Sequence, residues 1–197
     1  EGLGYYVGDA HTHSTLSDGR GSLTDNCGTA VGKGHAFMIA TDHNYDGTQT
    51  SPITQAAAHY EHFLAITANE ITTEYGHMLE YGVPHRHAGG HTGHMWDIMA
   101  AYRPDAAEWQ RLMDEIISEG GLCFPAHPFY FSNTGSWKWP GVGADQTKVF
   151  VYKGFTGIEV YNADSYANGI TKGATEKAFE WWDRYNLKGE QRYYGIS

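Results

Sequence analysis

Near its start the chain carries the segment Leu3-Gly4-Tyr5-Tyr6-Val7-Gly8-Asp9-Ala10-His11-Thr12-His13. Residues 3–10 predict a β-strand. His11 and His13 stand two positions apart, so both side chains point to the same face of an extended chain. A metal ion needs ligands that converge in this way. Because a His-x-His pair also occurs on exposed strands, its interpretation depends on the rest of the sequence.

Histidine and carboxylate side chains stand at the ends of several further predicted strands. Ser17-Asp18-Gly19 places a carboxylate on a glycine turn after the first strand. Thr41-Asp42-His43-Asn44 follows the apolar run 36–40, which is typical of a strand buried on both faces. Further strands are predicted over residues 62–68, 77–83 and 122–125. The candidate metal ligands at these strand ends are His11, His13, Asp18, His43, Glu70, His77 and His127.

Segments with helical periodicity alternate with the strands. The clearest begins at Pro104, and its apolar side chains recur at the spacing of one helix face. Such alternation favours βα units and a mostly parallel sheet. Six or seven units with insertions fit a distorted barrel better than a Rossmann sheet, since no Gly-x-Gly-x-x-Gly follows the first strand. Parallel barrel strands end at one rim, where active sites lie, so we expect the candidate ligands to meet there.

The composition limits the classes of function. The 197 residues include 12 His, and 13 Lys+Arg stand against 23 Asp+Glu, for a net charge of −10. Binding to a phosphate backbone relies on Lys and Arg, so this balance disfavours nucleic acid as a partner. No apolar run reaches the roughly 18 residues of a membrane span. The aromatic-rich, lysine-poor composition favours an exported protein over a cytoplasmic one. The oligomeric state stays open.

All the candidate ligands are nitrogen or oxygen donors, which leaves zinc, manganese and iron open. Five strand ends would give a multinuclear site. There a bridging hydroxide could act as the nucleophile, and paired metals could clamp a phosphoryl group. Cys27 and Cys123 do not form a disulfide scaffold, and either a single bridge or two buried thiols is open.

The order Asp-x-His-x-His, Ser-Asp-Gly, Thr-Asp-His-Asn, Glu, Gly-His and Ala-His-Pro resembles the PHP (polymerase and histidinol phosphatase) superfamily. The stretch Glu70-Ile71-Thr72-Thr73 followed by Gly76-His77 is most similar to its CehA/McbA-type metallohydrolases. The resemblance covers essentially residues 1–197 as a single domain, with the His- and Gly-rich insertion 84–103 the least familiar part. It implies an α/β fold, a distorted (β/α)7 barrel. It also implies two or three divalent metal ions and, in most members, phosphoester hydrolysis.

The resemblance further implies a place for each ligand. His11, His13 and Glu70 would hold a first ion. Asp18 and His43 would hold a second. Glu70, His77 and His127 would hold a third, with Glu70 shared. The family pattern ends with a Gly-x-Asp-x-His motif that adds one ligand to each of the first two ions. It should follow a strand such as 193–197, so we expect this chain to be a fragment without its last segment.

Two residues are candidates for catalysis. Arg20 stands beside the expected metal rim and could contact a substrate phosphate, because arginine suits phosphate, or it could lie on the surface. A histidine, for which His127 is the candidate, or a bound water would protonate the leaving group.

Other polar residues could support the ligands. Asp9 could orient a ligand histidine or be an ordinary strand-end carboxylate. Asp42 and Asn44 are expected to form hydrogen bonds around His43 rather than to bind metal. Glu159 lies within a predicted strand and could face the site or pair with a neighbouring charge.

The sequence leaves two possible roles open for each of two loops, one rich in histidine and one rich in aromatic residues. The insertion 84–103 contains four closely spaced histidines and could be a lid over the site or, less in keeping with their spacing, a separate metal site. Trp137 and Trp139 could line a substrate pocket or pack within their loop. The histidines of the insertion are His85, His87, His91 and His94.

Three functions follow from these patterns. The leading hypothesis is a metal-dependent phosphoesterase that uses a metal-bound hydroxide on a small-molecule phosphoester. The second keeps the metals but cleaves a carboxyl or carbamate ester. The third is a binding or assembly module with impaired catalysis, which the missing terminal motif would explain.

Overall fold

The computed structural model describes residues 4–44, 50–83, 102–129, 152–162, 172–188 and 194–196. The strands are β1 (Gly8–Thr12), β2 (Phe37–Ala40), β3 (Leu64–Thr73), β4 (Gly76–Tyr81), β5 (Leu122–Pro125), β6 (Gly157–Glu159) and β7 (Tyr194–Ile196). The helices are α1 (Leu23–Gly32), α2 (Thr50–Ala57), α3 (Ala106–Ser118) and α4 (Lys172–Lys188). The fold is therefore mixed α/β, as expected. None of the described helices has both the length and the apolar character that crossing a membrane would need.

The strands form a five-stranded sheet in the order β1-β2-β3-β4-β5 and a two-stranded sheet of β6 and β7. The pairs β1–β2, β2–β3 and β6–β7 are parallel, whereas β3–β4 and β4–β5 are antiparallel. The prediction of a mostly parallel sheet is wrong for β4. Only Glu74 and Tyr75 separate β3 from β4, and so short a connection joins only antiparallel strands.

Strand β3 is longer than the sequence pattern predicts. Its first part pairs with β2, up to Ala40 opposite Thr67, and its second part pairs with β4, from Ala68 opposite Tyr81. The strand therefore continues five residues past the predicted end at Ala68. Glu70 consequently lies within a strand and not after one.

Three apolar clusters cover the faces of the sheets. The interior cluster joins strands of both sheets through Ala10, Ile39, Ala68, Leu79, Tyr81, Phe124 and Ala126, with Ile196 packed against them. A second cluster packs α3 and α4 against the opposite face of β3–β5 and against β6, and Trp109, Leu112 and Trp181 belong to it. A third packs α1 and α2 against β2. Side chains alternate along a strand, so Glu70 shares the interior face with Ala68.

The two sheets are not joined by strand pairing within the described residues, so the expected closed barrel is not present there. They are neighbours, because the backbone N–H of Thr156, just before β6, donates to the carbonyl of Cys123 in β5 at 2.8 Å. The predicted insertion lies outside the described residues up to position 101, as do Trp137 and Trp139.

Cys27 and Cys123 are both buried free thiols. Cys27 lies in the cluster of α1 and α2, whereas Cys123 lies in the cluster of α3 and α4. Burial raises the pKa of each thiol. Of the two alternatives left by the sequence, the structure has the buried thiols and not the bridge.

Leucine substitutions test the packing of α3. Leu112 is fully buried in the cluster of α3 and α4, so Leu112→Ala should lower the free energy of unfolding by about 2–5 kcal/mol. Leu187 on α4 is 86% exposed, and Leu187→Ala should change it by less than about 0.5 kcal/mol. Urea denaturation of the two variants beside the wild type measures the difference. Equal effects would contradict the assigned packing.

Candidate metal centre

Glu70 is the centre of a cluster of five histidines. Its side chain is fully buried. One carboxylate oxygen, Oε1, lies 2.7 Å from His77 Nδ1 and 3.0 Å from His127 Nε2. The other oxygen, Oε2, lies close to three ring nitrogens: His11 Nε2 at 3.0 Å, His13 Nε2 at 3.2 Å and His43 Nδ1 at 3.1 Å.

The sheet topology brings these residues together from distant parts of the sequence. His11 lies near the end of β1, and His13 directly follows that strand. His43 follows β2, and its backbone forms a parallel β-bridge with that of Glu70. The hairpin places the start of β4 beside the end of β3, so that His77 pairs with Thr72. His127 follows β5. The candidate ligands therefore converge as expected, but their geometry depends partly on an antiparallel hairpin.

Three groups of described side chains bring their ligand atoms close enough together to hold a metal ion. The first group contains His11, His13 and Glu70. Besides the two distances to Glu70 Oε2, the two Nε2 atoms lie 3.1 Å apart. Ligand atoms about 2.1 Å from a shared cation are spaced about 3.0 Å apart in octahedral and about 3.4 Å apart in tetrahedral coordination. The triangle has edges of 3.0, 3.1 and 3.2 Å, which fit a divalent cation bound by nitrogen and oxygen.

The second group contains His13, Asp18 and His43. Asp18 Oδ1 lies 3.8 Å from His13 Nδ1 and 3.7 Å from His43 Nε2. His13 Nδ1 is buried and forms no hydrogen bond with the described residues. A neutral imidazole has one lone pair, so His13 can serve an ion in this group through Nδ1 or one in the first group through Nε2. A Cβ at Gly19 would lie 2.2 Å from the His13 carbonyl oxygen, so only glycine permits this close turn behind Asp18.

The third group contains His43, Glu70 and His77. The expected third set had His127 in place of His43, and His127 Nε2 lies 3.0 Å from Glu70 Oε1. The rings of His77 and His127 meet edge to face, with their centroids 5.1 Å apart. His43 therefore borders both the second group, through Nε2, and the third, through Nδ1.

Thr72 determines which nitrogen of His43 is available to an ion. The Thr72 hydroxyl donates to the carbonyl of Glu70 at 3.0 Å, so its oxygen accepts from His43 Nδ1 at 2.5 Å. The Nδ1 proton leaves the Nε2 lone pair directed at Asp18. This arrangement favours His43 as a ligand in the second group, through Nε2, over a role in the third group, through Nδ1. Thr72 is not among the residues predicted from the sequence, although its spacing of two from Glu70 places both on one face of β3.

Glu159 faces the site, which the sequence left open. Its Oε1 accepts from His11 Nδ1 at 2.8 Å, and its Oε2 accepts from the backbone N–H of His127 at 2.5 Å. The Asp9 carboxylate accepts from the backbone N–H of His11 at 3.2 Å and forms no hydrogen bond with the His11 ring. One interpretation of the sequence was that Asp9 orients a ligand histidine. In the structure Glu159, and not Asp9, makes that contact with the His11 ring.

Asp42 and Asn44 hold the loops around the cluster. Asp42 accepts from the backbone N–H and the hydroxyl of Ser14, at 2.7 and 2.8 Å. It also accepts from the Ser17 hydroxyl at 2.7 Å. The Asn44 side chain exchanges two hydrogen bonds with the backbone of Thr72, at 2.9 and 3.0 Å. These contacts agree with the expected hydrogen-bonding role.

Arg20 is exposed in the turn after Asp18. It forms no hydrogen bond or ion pair with any described residue. The structure therefore places it near the second group without bringing it onto the cluster. The four histidines of the predicted insertion lie outside the described residues.

Burial and mutual charge set the protonation of the centre. Burial lowers the pKa of His43 and His77, and Glu70 offsets this only in part. For His11, the charges of Glu159 and Glu70 outweigh burial and raise the pKa well above its ordinary value. Burial acts to raise the pKa of Glu70 and Glu159, but the histidines outweigh it, and both pKa values are lowered. Both carboxylates are therefore charged at neutral pH and can attract a cation.

Comparison with known proteins gives similarity in structure alone. No protein-family model and no curated protein matches the sequence. A Bifidobacterium adolescentis protein assigned as a metal-dependent phosphoesterase is similar over 98% of this chain and 87% of its own, with 14% identity and a TM-score of 0.66. A two-domain Bacteroides vulgatus protein containing a predicted PHP-like metal-dependent phosphoesterase is similar over 92% of this chain and 49% of its own, with 20% identity and a TM-score of 0.59.

An amidohydrolase from Chromobacterium violaceum, whose structure holds sulfate and no metal, is similar over 95% of this chain and 84% of its own. The identity is 16% and the TM-score 0.59. At these identities the comparisons show a shared fold. The chain thus has a fold found in PHP-like metal-dependent phosphoesterases and in an amidohydrolase.

Proposed function

We propose that this protein is a metal-dependent hydrolase of the PHP superfamily, of the CehA/McbA type, acting on a small-molecule phosphoester. The observation that carries the proposal is the arrangement of five histidine rings around the buried carboxylate of Glu70. A buried carboxylate surrounded by imidazoles is a donor set for divalent cations. The shared fold is consistent with this function.

Two or three ions of zinc, manganese or iron would be held by the residues predicted from the sequence. His11, His13 and Glu70 would hold one ion, and Asp18 with His43 a second. Glu70, His77 and His127 would hold a third. Bound ions would supply an activated water and would stabilise the charge that develops on the phosphoryl group. Glu70 would contribute one oxygen to each side of the centre.

The protein's own side chains would bind and orient the substrate. Arg20, exposed beside the second group, would contact a substrate phosphate through its planar guanidinium. In a centre of two ions, with the third set of ligands empty, His127 would instead hold a proton near the leaving group. Its Nε2 atom lies on the Oε1 side of Glu70, opposite the triangle of the first group.

We propose further that the two sheets belong to one distorted (β/α)7 barrel in a single domain. The support is the interior cluster, to which strands of both sheets contribute, including Ala10 of β1 and Phe124 of β5, with Ile196 of β7 against them. The five-stranded sheet would then curve around that cluster. The metal centre would lie at one end of it.

The test is hydrolysis by purified protein loaded with zinc, manganese or iron. The substrates are an aryl phosphomonoester, an aryl phosphodiester, an aryl carboxyl ester and an aryl carbamate, because one leaving group then reports every bond type. We expect hydrolysis of a phosphoester that a chelator abolishes and added metal restores. The matched control is His59→Ala, since His59 is exposed and is not one of the candidate ligands.

Other outcomes would change the proposal in defined ways. Turnover of the carboxyl ester or carbamate alone would keep the metal centre and overturn the phosphoesterase assignment. Metal binding without hydrolysis of any substrate would favour a binding or assembly module. No metal binding by the wild-type protein would overturn the proposal as a whole.

A further inference from the structure

Glu159 connects two histidines of the centre from the second sheet. It ends β6, its residue is 2% exposed, and it lies 148 positions along the chain from His11. Each of its carboxylate oxygens has a different partner: Oε1 takes the ring N–H of His11, and Oε2 takes the backbone N–H of His127. Asn162 donates a further hydrogen bond to Oε1 at 3.1 Å. A single buried carboxylate is thus bound to the ends of β1 and β5.

The His11 ring lies between Glu159 and Glu70, and the His127 ring is stacked beside it. Their planes are 18° apart, and their centroids are separated by 5.7 Å. The Nε2 atoms of both rings lie 3.0 Å from Glu70, one at each of its oxygens. An N–H at Nδ1 of His11 leaves its Nε2 with a lone pair directed at the first group.

The backbone of His127 needs such support. Its φ is 28°, in the left-handed region that a non-glycine residue rarely adopts. Pro128 follows and restricts the same residue further. Strained backbone of this kind persists where surrounding contacts hold it in place, and it is common at functional sites. The hydrogen bond to Glu159 is one such contact, and it determines where the His127 ring enters the centre.

We propose that Glu159 is a positioning residue of the metal centre, which holds the His11 ring and the His127 backbone so that both Nε2 atoms face Glu70. The inference rests on the proposed function, because it assumes that an ion binds at this centre. Glu159 does not bind the ion in this proposal. It acts on the ion only through the two histidines.

The test is Glu159→Gln, with zinc alone as the probe. A glutamine side chain has the same shape but only one accepting atom, so it cannot accept from both the His11 ring and the His127 backbone. We expect zinc affinity, measured by competition with a chromogenic chelator, to fall about 10–100-fold. The matched control is Glu80→Gln. Glu80 is also fully buried, but it lies on the opposite face of β4 from the centre and accepts from Asn69 at 2.8 Å.

Two further readouts separate positioning from a structural role. The melting temperature of the zinc-free protein reports damage to the fold in both variants. Long-range ¹H–¹⁵N spectra of the zinc-free protein, recorded at a pH high enough for the His11 ring to be neutral, report the His11 tautomer. It should move from Nδ1–H towards Nε2–H in Glu159→Gln and stay unchanged in Glu80→Gln. A role in folding alone would lower the melting temperature without moving the tautomer.

The outcomes distinguish this inference from the proposed function. Zinc affinity of folded Glu159→Gln within about 2-fold of wild type, or a loss equal to that of Glu80→Gln, would overturn the inference and leave the centre standing. No zinc binding by the wild type would overturn both. If Glu159→Gln does not fold, the zinc affinity of Asn162→Ala tests the inference instead. Losing one hydrogen bond to Glu159 should lower zinc affinity about 2–10-fold, and an unchanged affinity would overturn the inference.

Discussion

Glu70→Gln should remove metal from the protein and abolish its hydrolytic activity. The substitution keeps the shape of the side chain but removes the charge that the five histidines surround. It also replaces one of the two accepting oxygens with an NH₂ group. Glu70 contacts His11 and His13, the proposed ligands of the first ion, and His77 and His127, those of the third. We therefore expect metal affinity to fall at least about 100-fold, which exceeds the usual loss for a residue that acts only through a ligand.

The effect on catalysis should be larger still. Metal ions contribute several kcal/mol of stabilisation to a charged transition state, so hydrolysis should fall at least about 1,000-fold. Metal content by elemental mass spectrometry and initial rates on the best phosphoester measure the two effects. Glu80→Gln is again the matched control and should keep both. Full metal content and activity in Glu70→Gln would contradict the proposed centre.

His13→Ala should deplete the centre of more metal than Asp18→Ala does. His13 presents Nε2 to the first group, and its ring stacks on that of His43 in the second, with the centroids 4.4 Å apart, whereas Asp18 borders only the second. Removing His13 therefore takes a ligand from the first group and the packing of a ligand from the second. Removing Asp18, a residue whose side chain is 45% exposed, should weaken one and leave the contacts around Glu70 intact.

Metal equivalents per chain, titrated at a fixed free zinc concentration, give the comparison. We expect Asp18→Ala to lose zinc from one group and His13→Ala from two, with a correspondingly larger loss of activity. His62→Ala is the control, because the His62 side chain is 88% exposed and pairs with Glu61, which is no part of the cluster. Equal depletion by His13→Ala and Asp18→Ala would contradict the division into a first and a second group.

Local patterns in the sequence predict most of the elements around the centre. The apolar run 36–40 corresponds to β2, and the apolar spacing after Pro104 corresponds to α3, because burial imposes its periodicity directly on the sequence. The end of β3 could not be predicted in this way. Residues 69–73 read Asn-Glu-Ile-Thr-Thr, which carries little apolar signal. They form a strand because β4 folds back and pairs with them.

The ligand assignment itself stays a prediction, but the structure adds relations that the sequence does not contain. Thr72 and Glu159 both bind ring nitrogens of candidate ligands. Thr72 does not stand out from its residue type, and for Glu159 the sequence leaves open whether it faces the site or pairs with a neighbouring charge. Glu159 becomes informative only when β6 is placed beside β1. Its distance from His11 along the chain leaves no local pattern to detect.

The sequence by itself determined the types of donor atom and their places along the chain. It placed histidine and carboxylate side chains at strand ends, as in Asp9-Ala10-His11-Thr12-His13, because the geometry of an extended strand is local. Only the tertiary structure decided which nitrogen of each histidine faces Glu70, and that a Glu159 oxygen holds the other nitrogen of His11. Those choices depend on contacts between β1, β3 and β6, and such contacts exist only once the chain has buried its interior cluster.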